Sequence, residues 1–288
     1  MKKYFSLVLF AHSVFALPFA LIGFFLGITT TENPFNWMLL LQVLLCMVFA
    51  RNAAMAFNRY LDRNIDAKNP RTQMRDIPAG KVSANEALIF VIINCILFIA
   101  TTAFINSLCF YLSPVALFVV LFYSFTKRFT ALCHMVLGLG LSLAPIGAYI
   151  AVTGVFNIVP VLYSFAVLFW VSGFDIIYAL QDEDFDKTEK LHSIPAAMGI
   201  KNALKLSVVL HVCSALCVIL PVFFTSFSYF YYLGIAFFCF MLIYQHLLVK
   251  PNDISKVNRA FATTNGYASV VFAACFLIDA FLRTNFNF

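Results

Sequence analysis

Two groups of polar residues in this chain have the types and spacing to do chemistry. The first reads Asn58, Asp62, Asp66 and the second Tyr178, Asp182, Asp186, and a single offset of 120 residues superimposes them, as an internal duplication would. If each stretch continues a helix, successive members fall at i, i+4 and i+8, about 6 Å apart along one face. Carboxylates stacked in this way repel one another, and the partial negative charge of a helix C-terminus adds to the repulsion. A cation therefore has to sit there. Donors that are all hard oxygens point to Mg²⁺, which takes one or two carboxylates, keeps several waters and completes its shell with phosphate oxygens. Two such clusters facing each other imply two metal ions bracketing a diphosphate, with Asn58, Asp62, Asp66, Asp182 and Asp186 as donors. The plainer reading is that these acids are solvated interfacial charges balanced by nearby bases.

The elements that must position them are membrane spans. Of 288 residues, 62% are hydrophobic and 11% charged, with mean hydropathy +0.91, against about 45–50% and about 25% for a soluble domain. Thirty-five Phe supply more bulky apolar surface than one aqueous core can hide. A bilayer core of about 30 Å needs about 20 apolar residues per helix. Nine segments qualify: 5–28, 35–57, 84–105, 109–126, 131–153, 158–180, 203–224, 229–249 and 263–282. The fold class expected is all-α, one transmembrane domain over residues 1–288, with the first apolar stretch retained as a span because it is too long for a signal peptide. The eight cysteines form no CxxC pair, which argues against zinc or a disulfide framework.

Charge orients the bundle. Seventeen of the nineteen Lys and Arg fall at the N-terminus or in alternate loops, leaving Arg51 within the second span and Arg283 at the far end. The positive-inside rule then makes the N-terminus and those loops cytoplasmic. The second and sixth spans both run inward, so their acid clusters emerge on one cytoplasmic surface of the cell's inner membrane. The net charge of +6 is a topological signal that calls for no nucleic-acid partner.

Further residues support the clusters, each with a plainer alternative. Lys68, Arg71 and Arg75 follow the first cluster, and Lys190, His192 and Lys201 follow the second. A guanidinium there would grip diphosphate oxygens in two-point fashion, or these bases simply set topology. Both loops carry Ile-Pro-Ala ahead of a glycine (Ile77 to Ala79, Ile194 to Ala196) and read as structured caps over the site. Arg51 and Asp175 each lie seven residues before their cluster, about 10 Å deeper, where each has a partner in the other. Arg51 would receive an acceptor carboxylate and Asp175 would orient the acceptor or take its proton; a structural ion pair is the alternative. His12 reaches a depth where it would touch a phenol or merely pack. The Phe-rich walls would cradle a lipid tail or face lipid.

These residues resemble a known family. Asn58/Asp62/Asp66 after the second span and Tyr178/Asp182/Asp186 after the sixth match the two acid motifs of the UbiA family of intramembrane aromatic prenyltransferases. The stretches NRYLDRNIDAKNPRT and FDIIYALQDEDFD, with the opening HSVFALPF, are similar to its 4-hydroxybenzoate polyprenyltransferase-like branch. The resemblance spans the whole chain. It departs at Arg59, which stands where the family motif has Asp, so no ligand role passes to that position. The resemblance implies a nine-helix bundle with cytoplasmic caps and Mg²⁺-dependent transfer of a polyprenyl group from polyprenyl diphosphate to an aromatic acceptor in quinone synthesis. That acceptor would be 4-hydroxybenzoate, a naphthoate or a futalosine-type precursor. In this reading Asp175, Tyr178 and Arg51 act on the reacting groups and Lys68, Arg71, Arg75 and Lys190 on the diphosphate. Two rival classes remain from the residues alone. A secondary transporter would use the acids as an ion or proton site and break span five at Leu143-Ala144-Pro145. A phospholipid-type alcohol transferase would carry a DG-x₂-AR signature, which is missing.

Overall fold

The computed structural model describes residues 15–31 and 34–283, which are helical throughout, with no strand. Nine principal helices follow one another: α1 (Leu17–Thr31), α2 (Trp37–Lys68), α3 (Ala84–Ala103), α4 (Ser107–Thr126), α5 (Cys133–Thr153), α6 (Ile158–Ala179), α8 (Ile194–Ile219), α9 (Tyr229–Leu248) and α10 (Asn265–Arg283), with the six-residue α7 (Glu183–Thr188) between α6 and α8. Eight of them are long and apolar enough to cross a bilayer, while α1 is shorter at 15 residues. The start of the expected first span, with Lys2, Lys3 and His12, lies outside the described residues. The exposed surface is rich in Ile, Leu, Val and Phe, such as Ile96, Phe118, Val209 and Leu247, as lipid contact requires.

Three departures from the sequence expectation matter. α2 is one uninterrupted helix of 32 residues, about 48 Å long, so roughly a dozen residues project beyond a bilayer core and carry the first acid cluster. The second cluster is not a helical continuation. α6 ends at Ala179, a 3₁₀ turn covers Leu180–Asp182, and Asp186 sits on the separate α7. The two clusters therefore share spacing without sharing conformation. Finally, α5 runs unbroken through Pro145, which removes the interrupted helix that a transporter would need.

α6 is the most enclosed of the eight long helices. Its residues Tyr163, Ala166, Val167, Trp170 and Val171 are fully buried. α8 is stitched to it by three side chains on one face, each donating to an α6 carbonyl: Ser207 to Gly173 at 2.7 Å, His211 to Trp170 at 3.3 Å and Ser214 to Ala166 at 2.8 Å. In a medium where apolar burial drives helix association weakly, such bonds and close backbone approach supply the adhesion. Aromatic rings of α1, α6, α9 and α10 fill the space beside this seam, with Phe19, Trp170, Phe238 and Phe272 in mutual contact.

The caps are ordered, but only one is a loop. Residues 69–82 form successive turns closed by Gly80 at φ +71°. The second Ile-Pro-Ala instead opens α8, with Ser193 capping the Ala196 N–H and Pro195 in the first turn, where its missing N–H costs nothing. α8 then kinks at Gly199, φ +77°.

Close approach of α1 and α5 gives a prediction. A Cβ built on Gly23 would lie 2.0 Å from the Pro145 carbonyl oxygen, whereas one on Gly147 meets nothing within 4 Å. Gly23→Ala should destabilise the purified protein by about 1–3 kcal/mol, as overpacking does, and lower its melting temperature in detergent. Gly147→Ala should leave it unchanged or slightly raised.

Candidate active site

The acid clusters meet at one end of the bundle, and the residues that join them come from the loop after α2. Arg71 donates from Nε to Asp182 Oδ1 at 3.0 Å and from Nη2 to Asp182 Oδ2, while its Nη1 donates to the Tyr178 hydroxyl at 3.0 Å. Asn69 donates to the same Asp182 Oδ1 at 3.1 Å. Burial works against the Arg71 charge, but the bonds and charge of Asp182 outweigh it and hold the guanidinium pKa above its ordinary value. Lys68 reaches across to Glu189 at 2.6 Å, so it ties α2 to the end of α7 and does not touch a cluster carboxylate.

Within the first cluster, Asn58 donates to Asp62 Oδ2 at 3.0 Å. Asp62 also accepts from Arg128 at 2.9 Å, and Arg128 spends its remaining bonds on the backbone oxygens of Leu61 and Ser124. Asp66 accepts from Arg75 at 2.8 Å through Oδ1. Its Oδ2 is buried with no partner among the described residues. Asp186 is 4% exposed, and Lys127 is the strongest positive charge acting on it and on Asp62 alike. The α4–α5 corner thus faces both clusters, and His192 holds it there by donating its backbone N–H to the Lys127 oxygen at 2.7 Å. Lys190 occupies the turn after α7 at φ +55°. Arg59, where the family motif has Asp, lies among the charges of Arg75, Asp66 and Asp76.

The anticipated pairing of Arg51 with Asp175 does not form. α5 packs along α6 and brings His134 to Asp175, Nδ1 to Oδ2 at 2.7 Å. The other ring nitrogen of His134 accepts the Ile194 N–H at 3.3 Å, which fixes the proton on Nδ1 and makes Asp175 its acceptor. Arg51 instead points into an elongated cavity of about 370 Å³ between α2, α3, α4 and α5, where among the described residues it is the only charged lining residue and its Nε has no partner. On α4 and α5 the lining runs from Tyr123 to Cys109 and from Leu137 to Ala151, about 21 Å along each helix. Small aliphatic residues dominate these walls, with Phe98 and Phe156 the only phenylalanines among the described residues. Of the two readings of the Phe-rich composition, lipid-facing rings such as Phe118 and Phe240 answer to the second, and most buried rings lie in the core on the other side of the bundle. Tyr123, at the Arg51 end, feels the charges of Asp62, Arg51 and Asp175 together, which places the cavity directly beneath the clusters.

Sequence reasoning missed four contributors: Asn69, Lys127, Arg128 and His134. Lys127 and Arg128 carried a signal, because they form the basic pair of a loop on the same side as both clusters. Asn69 and His134 carried none, since nothing in their local pattern distinguishes them from a helix cap and a packing histidine.

As a metal site the residues fit a particular kind of ion. No group of three or more His, Cys, Asp or Glu side chains among the described residues converges to hold a metal alone. The donor set is nonetheless all hard oxygen, and the buried Asp66 Oδ2, without a hydrogen-bond partner among the described residues, has capacity for a further donor or a cation. That suits an ion that brings water and phosphate oxygens with it.

Comparisons with known proteins agree with this arrangement. The profile of the UbiA prenyltransferase family matches residues 16–275. The 4-hydroxybenzoate octaprenyltransferase of Aliivibrio fischeri is 32% identical over 250 residues, 83% of each chain, and that of Tolumonas auensis 31% over 228 residues, 79% of each. Among solved structures, a UbiA homolog from Aeropyrum pernix K1 in its apo form superposes with TM-score 0.84 at 31% identity, covering 93% of this chain and 98% of its own. A UbiA homolog from Archaeoglobus fulgidus bound to DMAPP and Mg²⁺ shares the fold at TM-score 0.74 and 23% identity, covering 97% and 99%. With the match running through both acid clusters and nearly every helix, the chain belongs to the UbiA prenyltransferase family and is a multi-pass membrane prenyltransferase.

Proposed function

We propose that this enzyme transfers a polyprenyl group from its diphosphate to a carboxylated aromatic acceptor of the 4-hydroxybenzoate type, in ubiquinone or menaquinone synthesis, with Mg²⁺ as cofactor. The observation that carries the reading is the stacking of the two acid clusters, with their arginines, over an apolar cavity whose single charge among the described residues is Arg51. The names of the relatives and the DMAPP and Mg²⁺ in the Archaeoglobus homolog support it. The positive-inside rule places this end of the bundle at the cytoplasmic side of the inner membrane.

In this reading Asn58, Asp62, Asp66, Asp182 and Asp186 hold Mg²⁺, which when bound neutralises charge on the departing diphosphate. Arg71 and Arg75 offer guanidinium forks to its oxygens, with Lys68 and Lys190 at the rim. The Tyr178 hydroxyl accepts from Arg71, so its own proton remains free to donate to a diphosphate oxygen. The prenyl tail lies in the apolar cavity, which keeps water from the allylic carbon once the C–O electrons leave with the diphosphate. The electron-rich ring carbon then supplies the pair for the new C–C bond. Arg51 takes the acceptor carboxylate, and the ring proton passes to Asp175, oriented by the His134 Nδ1–H and with its second oxygen free to accept.

Two outcomes test this. Asp62→Ala and Asp182→Ala, each properly inserted, should lower turnover of polyprenyl diphosphate and acceptor by at least about a hundredfold at saturating Mg²⁺; near-wild-type product by mass spectrometry would remove the metal assignment. Arg51→Met should raise KM for a carboxylated acceptor about ten- to a hundredfold, the cost of about 1.5–3 kcal/mol for a lost charge-assisted bond. It should leave KM for the prenyl diphosphate within about twofold, and an equal rise for both substrates would show that Arg51 does not read the acceptor.

A further inference from the structure

Just before α10 the backbone widens into a π-helix over Arg259–Thr264, a feature that recurs at functional sites. Such a turn leaves backbone carbonyls short of helical donors, and here a buried side chain supplies them. Asn265 donates from Nδ2 to the Ala260 oxygen at 3.1 Å and the Phe261 oxygen at 2.9 Å, while its Oδ1 accepts the Trp170 indole N–H at 2.8 Å. All the hydrogen-bonding capacity of this fully buried amide except one lone pair is committed to holding the turn on α6. Thr264 adds a bond to the Arg259 oxygen at 3.3 Å.

The turn presents Phe261. Its ring lies 4.2 Å from that of Tyr178, tilted by 31°. It also meets Phe15 at 5.5 Å and Phe174 at 5.4 Å, which themselves meet at 5.4 Å. Three rings in mutual contact leave Phe261 little freedom to retreat. Tyr178 in turn carries the Arg71 guanidinium, bonded at its hydroxyl and 5.2 Å from its ring centre.

We propose that Phe261 is a positioning residue for diphosphate binding. The π-turn, pinned by Asn265 to Trp170, presses Phe261 on Tyr178, and Tyr178 so held fixes where Arg71 presents its donors. This rests on the prenyl diphosphate reading above, but its first readout needs no turnover.

The experiment is calorimetric titration of the purified full chain with pyrophosphate at saturating Mg²⁺, followed by steady-state kinetics. Phe261→Leu should weaken pyrophosphate binding and raise KM for the prenyl diphosphate about three- to tenfold, the contribution of one aromatic pair. KM for the acceptor should stay unchanged. Phe261→Tyr should restore wild-type values, and Asn265→Leu should reproduce the defect by undoing the turn. Phe276→Leu, a core change elsewhere in the aromatic cluster, should lower the melting temperature without shifting pyrophosphate affinity. If Phe261→Leu does not fold, Phe261→Met keeps the volume without the ring face and gives the same reading. Wild-type affinity in folded Phe261→Leu or Phe261→Met, or an equal loss in Phe276→Leu, would overturn the proposal. A wild-type protein that binds pyrophosphate but prenylates no acceptor would sink the proposed function alone; one that binds no pyrophosphate would sink both.

Discussion

Negative charge gathered at one end of an apolar bundle is the constraint on which the structure turns. Asp62, Asp66 and Asp186 are each at most 5% exposed, at a depth where an isolated carboxylate would be costly. The chain meets the cost with cationic groups from two separate elements: Arg71 and Arg75 from the loop after α2, and Lys127 with Arg128 from the α4–α5 corner. None of these belongs to the helix segment bearing the carboxylate it serves. The charge lattice therefore also fixes where α2, the α4–α5 corner and the α6–α7 turn lie relative to one another. One oxygen, Asp66 Oδ2, has no hydrogen-bond partner among the described residues, while the charge of its carboxylate is paired with Arg75.

That lattice needs a stiff foundation, which explains the polar seam on α6. Ser207, His211 and Ser214 bond three successive α6 carbonyls, and a Cβ on Gly173 would come within 2.4 Å of the His211 ring. α8 thus lies against α6 at a distance that only a residue lacking a side chain permits. α6 is held on its other side by α5, through Ser172 bonding the His134 oxygen at 3.2 Å. The helix that carries Tyr178 and leads into the turn bearing Asp182 cannot shift without breaking both contacts.

Much of this was legible from residue order. Six of the nine expected spans correspond to helices with ends within about two residues of those anticipated, because an unbroken apolar run of span length has few alternatives in a bilayer; α2 runs on to Lys68 and α8 begins nine residues early. The meeting of the acid clusters was legible too, since charge bias placed both at the same end. What failed depended on side-chain geometry between distant elements. The Arg51–Asp175 pair was plausible by depth alone, yet α5 delivers His134 to Asp175 first, and no local pattern in CHMVLG announces it. The equal spacing of the two triplets suggested equal conformation, but the turn at Leu180–Asp182 breaks the second. The Phe-rich composition left a tail cradle and lipid-facing filler open; exposed rings such as Phe118 and Phe240 answer to the second, and most of the buried rings segregate to one side of the bundle.

This segregation has a mechanistic consequence. A cavity lined mostly by Ala, Val, Leu and Gly over about 21 Å, with Phe98 and Phe156 its phenylalanines among the described residues, suits an alkenyl tail by shape and dryness. Aromatic rings with quadrupoles able to stabilise a cation also occur near the clusters, where Tyr123 lines the cavity and Tyr178 stands beside Asp182. In the proposed reaction only the allylic carbon that bears the diphosphate can ionise, because only there does a leaving group depart with the C–O electrons, and a diphosphate seated among the arginines sets that carbon at the Tyr123 end. The cavity's part in that reading is to hold the rest of the chain and to keep water from that carbon.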